Sequence, residues 1–232
     1  MNLFIPSNII PWLLGSVILL FIGVRSWMHL RKVNSSTTKF FMVVGFLGGL
    51  GLACYSWPSL FTNDPQILKL GFFIGVPLIY AMFTYQSYFT WFGILKRRIS
   101  YAWLLVPSLV IAITTVFLEY KDLFRDNIRI EGGELVFNFL PTSRFLQSLL
   151  ISFTLVNGLW FIKESFSLKE SKARIRFASI GVIFTIVGAG TIADNLFFGG
   201  DSQSKVLMYA YILSFALFFF TLLLIVRRNS NK

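Results

Sequence analysis

The stretch ILKLGFFIGVPLIYAMFTYQSYFTWFGILKRR, Ile67 to Arg98, decides the fold class. A largely apolar run from Ile67 to Leu95, whose one charged residue is Lys69 near its start, ends on three consecutive cations, Lys96, Arg97 and Arg98. About 20 apolar residues at roughly 1.5 Å of rise each cross a bilayer. A run of this length, closed by basic residues, reads as a membrane-spanning helix stopped at a charged interface.

The whole chain has the same character. Of 232 residues, 56% are hydrophobic and only 13% charged, with a mean hydropathy of +0.72. Soluble domains carry about 25% charged residues, so a water-soluble core is excluded as the destination of this much apolar surface. Six further runs are long enough to span. The complete set is Ile9–Arg25, Phe40–Ser56, Ile67–Leu95, Tyr101–Leu118, Phe145–Ile162, Phe177–Phe197 and Val206–Val226. The expectation is an all-α integral membrane protein forming one domain over residues 1–232, a bundle of seven transmembrane helices.

Basic residues orient the bundle. Arg25, Arg31, Lys32 and Lys39 follow the first run, and Lys96–Arg98 follow the third. Lys163, Lys169, Lys172, Arg174 and Arg176 follow the fifth, and Arg227, Arg228 and Lys232 follow the seventh. These fifteen fall on one side, against six basic residues and eight of the ten acids on the other. Lysine and arginine accumulate on the cytoplasmic side, so the N-terminus is expected outside and the C-terminus in the cytoplasm. The expected location is a multi-pass protein of the cell membrane, in a bacterial inner membrane. The net charge of +11 then reflects topology and attraction to anionic lipid headgroups, and no nucleic-acid partner is expected. The first run has no basic residue before it, so it is expected to stay as a helix rather than be cleaved as a signal peptide.

One sizeable loop, Tyr120 to Ser143, lies on the outer side in this reading. Within it, NIRIEGGELVFNF alternates apolar and polar residues about Gly132–Gly133. Period-two alternation about a two-glycine turn predicts a small extracellular β-hairpin between the fourth and fifth helices.

Ionisable groups deep in a span mark function by default, and the seven runs hold none midway. A retinal-binding lysine, the buried carboxylates of a pump and an acid pair for intramembrane hydrolysis all go unmatched, so no enzyme activity and no cofactor are expected. The one cysteine, Cys54, and the one histidine, His29, offer no metal-ligand set. Neutral polar residues remain as the candidate ligand pocket: Tyr80, Thr84, Gln86, Tyr88, Asn157, Thr185 and Tyr211, with Asp194 and Asn195 at the outer end of the sixth run. Tyr80, Thr84 and Tyr88 are four apart and share a helix face. The same groups serve equally as interhelical hydrogen-bonding glue, worth about 0.6 kcal/mol per bond. Two faces of small residues, Gly45 with Gly49 and Ala189 with Ala193, let helices approach closely. A contact inside the bundle and a homo-oligomer interface both fit them.

The layout resembles the seven-helix N-terminal sensor region of bacterial histidine kinases. The local likeness lies in ESKARIRFASIGVIFTIVGAG, Glu170–Gly190, where a basic inner loop enters a helix that opens with arginine and then glycine. The resemblance implies a receptor-like protein taking a small or lipid-like ligand from the outer side. The chain ends LIVRRNSNK, Leu224–Lys232, with no kinase domain in the sequence. Output is therefore expected through a cytoplasmic or membrane protein partner docking on Lys169, Lys172, Arg174 and Arg176. A small-solute transporter or channel, and a scaffold subunit of a membrane complex, are the alternatives.

Overall fold

The structure is a computed structural model, and it describes residues 9–32, 34–62, 64–95, 99–124, 128–131, 134–137 and 139–198. The expected seventh span, Val206–Val226, lies outside the described residues, as do the Gly132–Gly133 turn and Lys96–Arg98. Among the described residues six long helices carry the fold: α1 (Ile10–Leu30), α2 (Ser36–Ser56), α3 (Pro65–Thr90), α4 (Ala102–Phe124), α5 (Pro141–Ser167) and α6 (Ser171–Ala193). All six are long and apolar enough to cross a membrane. By length and composition the chain is a multi-pass helical membrane bundle.

Helix starts follow local chemistry. The Ser35 side chain accepts from Thr38 N at 3.0 Å and caps α2. Asp64 accepts from Gln66 N at 2.9 Å and caps α3, with Pro65 at the first helical position. Pro141 opens α5 in the same way. Two helix ends widen into π-helical turns, Trp91–Leu95 after α3 and Asp194–Phe198 after α6. The interior prolines Pro77 and Pro107 are accommodated without ending α3 or α4. Between α4 and α5 two four-residue strands, β1 (Ile128–Glu131) and β2 (Glu134–Phe137), pair antiparallel, with Ile128 opposite Phe137 and Glu131 opposite Glu134. The end of the bundle that carries them is called the hairpin end below.

Glycines set the two closest helix pairs. A Cβ on Gly45 would lie 2.5 Å from Gly23 N, so α1 and α2 meet backbone to backbone. Gly49 meets Leu20 of α1 in the same way. The Gly45/Gly49 face therefore packs inside the bundle, which leaves no room there for an oligomer contact. Between α5 and α6 the close face is Gly158 against Gly181 and Thr185, with Gly188 against Leu155. It is not the expected Ala189/Ala193 face, since Ala189 is exposed. Lacking a Cβ, the glycines of α6 approach α5 more closely than alanine could, and they fix the rotation of the helix.

Two apolar clusters fill the interior. One gathers Trp12, Leu68, Phe72, Val76, Tyr80, Ala112 and Leu150 towards the hairpin end. The other gathers Phe40, Val44, Met82, Phe89 and Phe161 towards the opposite end. Leu150 shares the cluster of Tyr80 while Phe161 stacks on Phe89, so α3 and α5 run in the same direction. Outward faces are apolar, with Trp103, Ile113 and Phe117 of α4 each at least two-thirds exposed, as a lipid-facing surface requires.

Candidate functional site

Helix α4 is built inside out relative to a helix of a soluble protein. Its lipid-facing side is apolar, whereas its buried stripe is Ser108, Ala112, Thr115, Glu119 and Asp122. These positions are spaced by three and four, so they line one face. Glu119 is 3% exposed and Asp122 2% exposed. The expectation that no carboxylate is buried is thus overturned. The apolar run stops at Leu118, but LEYKDLF continues the helical period and carries α4 on to Phe124. Helix length, not the apolar run, decides where the acids fall.

Glu119 accepts a hydrogen bond from the Tyr80 hydroxyl of α3. Tyr55 of α2 stands within electrostatic reach of the same carboxylate, and Asp122 one turn further along α4 does too. Asp122 accepts from Leu140 N at 3.2 Å, at the residue that precedes α5. A carboxylate beside a helix N-terminus is favoured by the positive end of the helix dipole. Tyr120 completes the α3–α4 seam by donating to Phe73 O at 2.5 Å. Two acids on one helix therefore hold three helices together at the hairpin end. The site's chemistry is that of a buried acid with a phenol donor: it can carry a proton or receive a cationic group.

A second polar station lies between α3 and α5, between the two apolar clusters. Asn157, fully buried, donates from Nδ2 to Gln86 O at 3.1 Å and accepts at Oδ1 from Thr90 Oγ1 at 2.7 Å. Gln86 is 2% exposed, and its Oε1 has no partner. Thr154, one turn before Asn157 on α5, is also buried with an unpartnered Oγ1.

The sequence-derived pocket residues therefore divide. Tyr80 joins the acid station, while Gln86 and Asn157 form the second. Thr84 donates to Tyr80 O within its own helix at 2.9 Å. Tyr88 does share the α4-facing side with Tyr80, but it packs two turns away against Tyr101 at a ring distance of 5.2 Å. Thr185 turns to Gly181 O at 2.8 Å and lies against Gly158, so it serves the α5–α6 contact. Asp194 and Asn195 begin the π-helical turn at the end of α6, half-buried, with Asn195 Nδ2 lacking a partner. Tyr211 lies outside the described residues. On the basic loop, Arg174 donates from Nε and Nη2 to Leu168 O at 3.2 and 3.0 Å. Arg174 thereby closes the C-terminal end of α5, leaving Lys169 and Arg176 exposed and Lys172 half-buried beside it. Sequence reading missed Glu119 and Asp122; the polar stripe at three-and-four spacing through Ser108, Ala112 and Thr115 was the signal for them.

No family model matches the chain, and no curated protein or solved structure matches it either.

Proposed function

We propose that this chain is a receptor-like sensor of seven membrane spans, with its N-terminus and the β-hairpin outside and its C-terminus in the cytoplasm of a bacterial inner membrane. The input site in this reading is the buried Tyr80–Glu119–Asp122 station at the hairpin end, whose ligand is small or lipid-like and bears a cationic or proton-donating group. The output surface is the basic loop, where Lys169, Lys172 and Arg176 meet a protein partner. The observation that carries the reading is Glu119: a carboxylate 3% exposed in an apolar bundle, bridging α4 to α3. A buried ionisable group of this kind is expensive in a membrane and is associated with function. A ligand that binds one arrangement of α3, α4 and α5 better than another shifts the population between them.

The same carboxylate favours a second reading, a proton-coupled transporter of a small solute, in which Glu119 carries the proton. One experiment separates the two. Protein reconstituted in liposomes around a pH-sensitive dye is challenged with a panel of small solutes. In parallel, a fluorophore on Ser171→Cys in a Cys54→Ser background reports the basic loop while native-membrane lipid extract is added. A loop response that disappears in Glu119→Gln, without solute-driven proton entry, is the result expected of a sensor. Proton entry that depends on solute and on Glu119 replaces that reading with the second. Neither signal removes both.

A further inference from the structure

Several buried threonines of the described helices share a habit that Thr154 does not. Thr84, Thr115, Thr185 and Thr191 each donate to the carbonyl four residues back in their own helix. A hydroxyl in a membrane helix has that acceptor always at hand. Thr154, 5% exposed, does not use it, and its Oγ1 has no partner at all.

Its position explains what it is turned towards. Leu150, Thr154, Asn157 and Phe161 form one buried stripe of α5 at four-, three- and four-residue spacing. Leu150 belongs to the same buried cluster as Val76 and Tyr80, and Asn157 bonds to Gln86 and Thr90. Because α3 and α5 run in the same direction, Thr154 stands about level with Phe83. Helical side chains lean towards the N-terminus of their helix, so the Gln86 amide also reaches back to that level. On this register the two unpartnered atoms, Gln86 Oε1 and Thr154 Oγ1, fall at about the same level of the α3–α5 contact. Asn157 bonds to Gln86 O and Thr90 instead, and leaves Gln86 Oε1 and Thr154 Oγ1 unpartnered.

A buried polar atom without a partner costs about 1–3 kcal/mol, and the great majority in native structures are satisfied by protein or ordered water. We propose that the gap between Gln86 and Thr154 is a binding site for one hydroxyl group that is not part of the chain. A hydroxyl donates to Gln86 Oε1 and accepts from Thr154 Oγ1, and it serves as well if the Gln86 amide is turned over, because it then accepts from the nitrogen. A carboxylate lacks the donor, and an ammonium lacks the acceptor. The hydroxyl comes from a buried water molecule or from the head of an amphiphile entering between α3 and α5. The site stands whether the protein is a sensor or a transporter.

A structure of the full chain in lipid, at a resolution that shows ordered water, is the test. The expected result is a non-protein peak within hydrogen-bonding distance of both Gln86 Oε1 and Thr154 Oγ1. An isolated peak identifies water; a peak continuous with elongated density towards the bilayer identifies an amphiphile. Absence of a peak, with Thr154 donating to Leu150 O, overturns the proposal. Thermal melting of Thr154→Val, Gln86→Leu and the double variant gives an independent reading. A shared hydroxyl makes the two substitutions non-additive, with the double variant melting close to the worse single one. Fully additive losses contradict it.

Discussion

Gly158→Leu is expected to prevent the bundle from closing. A Cβ at this position would stand 2.6 Å from both the nitrogen and the Oγ1 of Thr185, and 2.9 Å from Gly181 O. Two of these three atoms belong to the α6 backbone, so no side-chain rotation relieves the contact. The reciprocal position is equally tight, with a Cβ on Gly181 at 2.7 Å from Gly158 O. The helices must separate, which loosens the contacts of Phe161 with Phe177 and Phe184 that lie one turn along the same interface. Overpacking an ordinary core costs about 1–3 kcal/mol, and a backbone-to-backbone wedge exceeds that range. The measurement is detergent-solubilised melting followed by size-exclusion: the variant should lose its monodisperse peak or melt far below the parent. Gly93→Ala is the control, since its nearest neighbour is the ring edge of Trp160 at 3.2 Å, which can shift. Equal melting of Gly158→Leu and the parent would show that α5 and α6 are not in this contact.

The second large effect is at the acid station, and its signature is non-additivity. Glu119→Leu removes the acceptor of the buried Tyr80 hydroxyl and strands it. Tyr80→Phe removes the donor and strands the carboxylate. Each single change leaves a buried polar group without its partner, at about 1–3 kcal/mol and more for the charged one. The double variant strands neither group, and an apolar pair of similar shape is tolerated. Tyr80→Phe/Glu119→Leu should therefore melt above Tyr80→Phe alone, while Glu119→Gln, which keeps an acceptor for the phenol, stays near the parent. Losses that simply add would mean that the two side chains act independently and that the Tyr80–Glu119 bond does not hold α3 to α4.

Much of the architecture was legible because hydropathy is a one-dimensional signal. Six of the apolar runs coincide with helices, and the Gly45/Gly49 spacing marks the α1–α2 contact. The helices outrun their apolar cores, however, since polar residues at the interface keep helical geometry: α2 begins at Ser36 rather than Phe40, and α4 ends at Phe124 rather than Leu118. That six-residue difference hid Glu119 and Asp122, which look like loop residues when the apolar run is taken as the helix. Gln86 and Asn157 were identifiable because an amide in an apolar run needs a partner. Which amide meets which depends on α3 and α5 running in parallel, which the alternation of the spans already implied, and on helix rotation, which composition does not give. Thr185 was read as part of the pocket, whereas the glycines at 158 and 181 bring it against α5. A threonine beside a glycine contact belongs to packing, and only the contact partner reveals it.

The charge asymmetry between the two ends of the helices is the foundation of the orientation, and cysteine accessibility tests it most directly. Ser100→Cys and Gln66→Cys, each in a Cys54→Ser background, place single thiols at exposed positions at opposite ends of α3. In intact cells a membrane-impermeant maleimide should label Gln66→Cys and spare Ser100→Cys until the membrane is permeabilised. Labelling of Ser100→Cys from outside, with Gln66→Cys protected, would contradict the proposed topology and, with it, the proposed outward placement of the acid station.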